Sequence, residues 1–196
     1  MFKLKSAMKA FGVAIAVAVI APLASAQTVL VLDPARVVRD SAGGQDLYSK
    51  VEQIGSAMQA ELAPQQQALQ TERDSLDSQT AGLSREQVEA NPALLQQVQS
   101  YSRRLQQHMA TTERRSQELQ QTEAQALQIL GERMRAAVES IRTTRNADIV
   151  LNGQGVYQVS PNADITDAVI EELNRTSPTI PVTRVTLPDQ SAAPAQ

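Results

Sequence analysis

The sequence predicts an α+β chain that is mostly α. A small β body takes strands from both chain ends, and a long antiparallel helical hairpin protrudes from it. Three observations predict this. Pro92 to Arg145 holds one proline, at its first position, and one glycine, Gly131, among strong helix formers. A second heptad-like stretch, from Gln45 on, precedes it across a short connection. Apolar β-type runs flank the pair, at Thr28–Asp33 and Asp148–Gly153. As one helix, residues 92–145 make a rod of roughly 80 Å, too long for a compact domain of this size to bury.

The first 26 residues read as a secretory signal peptide. Lys3, Lys5 and Lys9 form a basic start, Phe11 to Leu23 an apolar stretch, and Ala24-Ser25-Ala26 a small-residue cleavage site. Cleavage is expected after Ala26, in a protein exported to the periplasm. Removing the three signal lysines from the 18 basic residues leaves 15 against 21 acidic, a net charge of −6. That balance gives no general attraction for nucleic acid or anionic lipid. Past the leader no stretch is apolar enough for stable membrane insertion. Cysteine is absent, so disulfides and thiolate chemistry are excluded, which suits an oxidising compartment. His108 is the one histidine; no metal-ligand spacing and no Ser/His/Asp arrangement is present. No enzyme activity, cofactor or metal is expected.

Residues 27–44 form the N-terminal strand and turn of the body. T-V-L-V-L-D (Thr28 to Asp33), closed by Pro34, is a buried strand; Ala35 to Asp40 can form a helical turn. Ser41-Ala42-Gly43-Gly44 is a breaker that seats the next helix. Residues 45–145 form the hairpin arm. Its outgoing helix carries Leu47, Val51, Ile54, Met58 and Leu62, then Leu69, Leu76 and Leu83 at sevens. Pro64 is expected to kink it, and Gly55 to weaken it. The tip lies at about 80–92. Gly82 ends the first helix, Ser84 and Gln87 fit a capping box, and Asn91-Pro92 restarts the chain. A short connection between two helices makes them antiparallel neighbours. The return helix bears Leu94, Val98, Tyr101, Leu105, Thr112, Leu119 and Ala126, then Leu127, Leu130, Met134, Val138 and Ile141. This narrow seam is weakest where His108, Ser116 and Glu123 fall on or beside it.

Residues 146–175 return to the body. Asn146-Ala147 is a break, and Asp148 to Gly153 a second strand closed by a turn signal. Val156 to Val159 is expected as a third strand, joined to the second in a hairpin by Gly153-Gln154-Gly155. Asp164 or Thr166 caps a last helix bearing Ile165, Ala168, Val169, Ile170 and Leu173. Residues 176–196, rich in proline and without an apolar period, are expected to be a disordered tail. So small a sheet offers too little core for one subunit, so oligomerisation through the body is expected. Its contacts would be Val29, Val31, Ile149, Leu151, Val156, Ile165 and Val169.

Several of these segments resemble the Skp/OmpH family of periplasmic chaperones. V-L-V-L-D-P-A-R-V-V (Val29 to Val38) resembles its first strand, and S-A-G-G-Q (Ser41 to Gln45) the turn opening its first long helix. Ala147 to Asn174, with D-I-T-D at Asp164 to Asp167, resembles its final strands and last helix. The resemblance implies a homotrimer shaped like a jellyfish, with three hairpins around a cavity. Unfolded outer-membrane β-barrel proteins would be held there without ATP and kept from aggregating. The alternative is a structural or adaptor coiled coil of the cell envelope. The arms are rich in Gln and Arg, so client contact is expected to be apolar and near the body, at Ile54, Met58, Leu62, Leu130 and Met134. Each of these positions also suits plain seam packing.

Overall fold

The computed structural model describes residues 27–188; the expected signal peptide and the last part of the expected tail lie outside them. Strand β1 (Val29–Leu32) leads through helix α1 (Pro34–Asp40) into the outgoing arm α2 (Ala42–Thr80). A single-turn helix α3 (Arg85–Glu89) occupies the tip, and the return arm α4 (Pro92–Thr144) runs 53 residues. Strand β2 (Ile149–Asn152), a 3-10 turn at Gly153–Gly155 and helix α5 (Thr166–Thr176) complete the body.

β1 and β2 pair in parallel, Val29 opposite Ile149 and Val31 opposite Leu151. Parallel strands cannot be joined by a tight turn, so the chain between them must cross over. Here the crossover is the whole helical hairpin. One sheet face, with Leu30, Leu32 and Val150, packs with Val37, Ile165, Val169, Leu173 and the base of α4.

The ends of the arms follow their local chemistry. Ser41 Oγ, fully buried, accepts from Gly44 N at 3.2 Å and caps α2. Thr80 to Leu83 form a turn with Ala81 at φ −55°, ψ 119° and Gly82 at φ +78°, a conformation glycine adopts without cost. Ser84 and Gln87 form the capping box, and Asn91 caps α4 with Pro92 next to it. At the far end Asn146 is left-handed (φ 49°), with Ala147 N donating to Arg142 O and Asn146 N to Thr143 O. This pair of bonds closes the last carbonyls of the helix. α2 runs unbroken through Pro64. The carbonyl of Ala60, which a proline deprives of its helical donor, belongs to an exposed residue, where water can serve it.

Three expectations need correction. No strand forms at residues 156–159, and no hairpin follows β2. The second neighbour of β1, on its other edge from β2, is the 163–165 segment instead. Val31 N donates to Ala163 O at 2.8 Å, and Ile165 N to Val31 O at 2.9 Å, a parallel bridge. Gln154 N is held by Asn152 Oδ1, so the glycines tighten into a 3-10 turn rather than reversing the strand. Second, the glycine pair Gly43-Gly44 is inside α2 rather than before it. A Cβ on Gly44 would lie 1.8 Å from Val38 O, and one on Gly43 would lie 2.7 Å from Ser177 O. These glycines serve close backbone approach. Third, residues 177–188 are not a free tail: Ile180 is 1% exposed, and the segment lies against both arms.

Candidate functional site

The arms meet along a thin seam. From α2 it buries Leu47, Val51, Met58, Leu69 and Leu76, and from α4 Leu94, Ala126 and Leu130. Gly55, expected to be a weak point, is a contact point: Leu119 Cδ2 sits 3.2 Å from where its Cβ would be. Between Leu94 and Glu118 no residue of α4 is fully buried; Val98, Tyr101, Leu105 and His108 are half-buried and Met109 is exposed. The weak middle of the seam thus has the position the residue pattern predicts.

The five expected client contacts divide. Met58, Leu130 and Met134 are buried inside the chain, as seam and core residues. Met134 packs in the body core with Leu30 and Val169. Ile54 and Leu62 are half-buried. Of the expected oligomer contacts, Ile165, Val169 and Val31 are buried within the protomer, at 0%, 0% and 8% exposure. Val29, Ile149 and Leu151 stay exposed, at 37%, 40% and 45%. In-register pairing sets Val29, Val31, Ile149 and Leu151 on the sheet face away from the core, which is left largely uncovered. Val156 and Val159 line a hollow of about 220 Å³ beside Val31 and Asp33.

The two ends of the body are tied by polar groups. Asp33 Oδ1 accepts from Arg36 N at 3.0 Å and caps α1. Thr166 Oγ1, 1% exposed as a residue, accepts from Asp33 N, and Asp164 Oδ1 accepts from Thr166 N at 2.8 Å. Arg36 pairs with Asp167. The bonds from Thr166, helped by the charge of Arg36, hold the Asp164 carboxyl below its usual range. D-P-A-R and D-I-T-D, far apart in sequence, are therefore one site in space.

A second polar cluster was not visible in the sequence. Glu118 is fully buried on α4, in the groove that residues 180–187 fill. Its Oε2 accepts from Arg115 at 2.6 Å, and its Oε1 accepts from Leu187 N at 3.0 Å. One turn on, Thr122 donates to Glu118 O and accepts from Val185 N at 2.9 Å. Arg184 grips Glu61 of α2 with two bonds, 2.6 and 2.9 Å, and Arg115 also reaches Glu61 at 3.4 Å. Nearer the body Ile180 N donates to Asp46 Oδ2, and Ile180 O accepts from Lys50 Nζ. The only sequence signal was the alternation of Val182 to Leu187, which says nothing about where that segment docks. Among the described residues, no group of His, Asp and Glu could hold a metal ion, and no helix is long and apolar enough to cross a membrane.

A hairpin arm far longer than its body, with one uncovered apolar sheet face on that body, defines a tentacled, coiled-coil type of protein. The family described as Outer membrane protein (OmpH-like) matches residues 28–173, and the chain belongs to it. Among solved structures, the chain is similar to an OmpH-like protein of Caulobacter crescentus CB15, named for a suggested role as an outer membrane chaperone. The TM-score is 0.71 at 23% identity, over 83% of this chain and 93% of that one. No curated protein matches the chain.

Proposed function

We propose that this chain is an ATP-independent holdase of the periplasm. It binds unfolded outer-membrane β-barrel proteins between helical arms and prevents their aggregation, without enzyme activity or cofactor. The observation that carries this is the pairing of a solvated hairpin, roughly 80 Å long on its α4 side, with the exposed apolar patch of Val29, Ile149 and Leu151 on the body. An exposed apolar patch on a sheet marks an association surface. Covering it with copies of the same chain sets several arms side by side around a cavity; in the proposed assembly there are three. Membership of the OmpH-like family and the fold shared with the Caulobacter protein support this reading. Ile54 and Leu62 can meet a client with the seam closed, whereas Met58 and Leu130 require the arms to part.

The test is dilution of a urea-unfolded outer-membrane barrel protein into buffer, with and without the chain lacking its leader and with no nucleotide. Suppression of light scattering at about one trimer per client is expected. Undiminished scattering by a folded, oligomeric chain would overturn the holdase reading in favour of a structural coiled coil of the envelope.

A further inference from the structure

We infer that the groove between the arms, floored by Glu118 and Thr122, is a binding site for an extended polypeptide segment, and that residues 180–187 occupy it as a displaceable stand-in. The identity of the natural occupant, an apolar-alternating strand of an unfolded client, rests on the holdase reading; the site itself does not.

The chemistry is that of backbone recognition. Val185 N donates to Thr122 Oγ1 and Leu187 N to Glu118 Oε1. Amides two apart on an extended chain point the same way and repeat at about 6.8 Å. Side chains four apart on a helix repeat at about 6 Å. The two spacings match, so α4 offers acceptors to one edge of a strand. Ile180 is held the same way, its N–H on Asp46 and its carbonyl on Lys50. All four bonds engage main-chain atoms, which any extended segment without proline at those positions possesses.

The side-chain contacts are equally general. Ile180 fills an apolar site with Leu47, Val51, Ala126 and Leu130, and Arg184 lies between the carboxylates of Glu61 and Glu118. A strand with alternating apolar residues and a basic one meets both demands. Glu118 and Thr122 are polar residues at fully buried positions of the arm, which a plain coiled-coil seam would fill with apolar side chains. Receiving a strand explains them. Because the tail is tethered just beyond α5, its effective concentration over the groove is on the order of millimolar, and a competitor must displace it.

The test uses a fluorescein-labelled peptide of residues 179–188 (T-I-P-V-T-R-V-T-L-P), titrated by anisotropy with the full chain. Two variants loosen the tail and leave the groove untouched. Val185→Pro removes the amide that Thr122 receives, and Arg184→Glu sets a carboxylate against Glu61. At least tenfold tighter peptide binding than to the unaltered chain is expected for both, since a site freed of its occupant regains its intrinsic affinity. Thr122→Val added to Val185→Pro should reverse the gain. Equal binding by all chains, or loss of helical circular dichroism in both tail variants, would overturn the inference. The second result would make the segment a part of the fold. No client is present in this titration, so its outcome and that of the barrel-scattering test are independent.

Discussion

The backbone amide of Asp33 donates to Thr166 Oγ1 at 3.0 Å, from 133 positions away along the chain. That bond joins the end of β1 to the start of α5 and fixes the two ends of the body to each other. Thr166→Val keeps the side chain's shape and deprives a part-buried amide of its acceptor. Such an orphaned donor costs about 1–3 kcal/mol. Urea unfolding at fixed protein concentration should show a loss in that range for Val and most of it restored by Thr166→Ser. An unchanged midpoint for Val would remove this bond from the list of body contacts.

Gly44 is required by contact, not by flexibility. An alanine methyl would lie 1.8 Å from the carbonyl oxygen of Val38, so α1 and α2 would have to separate. Alanine ordinarily favours a helix over glycine by about 1 kcal/mol. Here Gly44→Ala should instead destabilise by about 3 kcal/mol or more, at the upper end for overpacking. Gly131, with open space around its would-be Cβ, is the control: Gly131→Ala should be neutral or stabilising in the same melt.

The uncovered sheet face is where the proposed assembly should be broken. Ile149→Asp and Leu151→Asp change exposed residues and should leave the protomer's helical circular dichroism intact. Sedimentation at micromolar concentration should nonetheless show monomer. Val31→Asp would be a poor probe, because Val31 is buried inside the protomer and its charge would unfold the body. An Ile149→Asp chain that stayed assembled would exclude this face as the interface.

The tail's hold should weaken in acid. The bidentate bond from Arg184 sets the Glu61 carboxyl below its usual range. Burial pushes Glu118 up, but the bonds from Arg115 and the Leu187 amide, with the charges of Arg115 and Arg184, outweigh it and leave it lowered. A carboxylate with a depressed value stabilises the docked state above the ordinary glutamate value of about 4.3. That contribution is lost as pH falls through the depressed one. The cysteine-free chain accepts spin labels cleanly, at Thr186→Cys and Gln121→Cys. Their separation should stay short at pH 7 and lengthen below about pH 4. In Glu118→Gln the acid-dependent change should shrink, because one of the three carboxylates that hold the segment, Asp46, Glu61 and Glu118, is gone. A separation independent of pH from 7 to 3 would show that the charges do not hold the segment.

The elements legible from the residues alone are those whose signals are local. Capping by Ser84 and Asn91, the glycine turn at Gly82, the stop at Asn146 and the thinning of the seam near His108 each depend on residues within a turn or two. So backbone sterics and helix periodicity reveal them directly. The expected fold class and family membership rest on that legibility. Which extended segments pair is settled only in the folded chain. The sheet's third member is residues 163–165 rather than 156–159, and the 180–187 segment seats on Glu118 and Thr122. An extended segment has no internal hydrogen bonds and so carries no record of its partners; the amides of Val185, Leu187 and Ile180 are satisfied by side chains 63, 69 and 134 residues away. For the same reason Val29 and Val31 look alike in sequence, yet one is left exposed and the other is covered by the turn at Gly153.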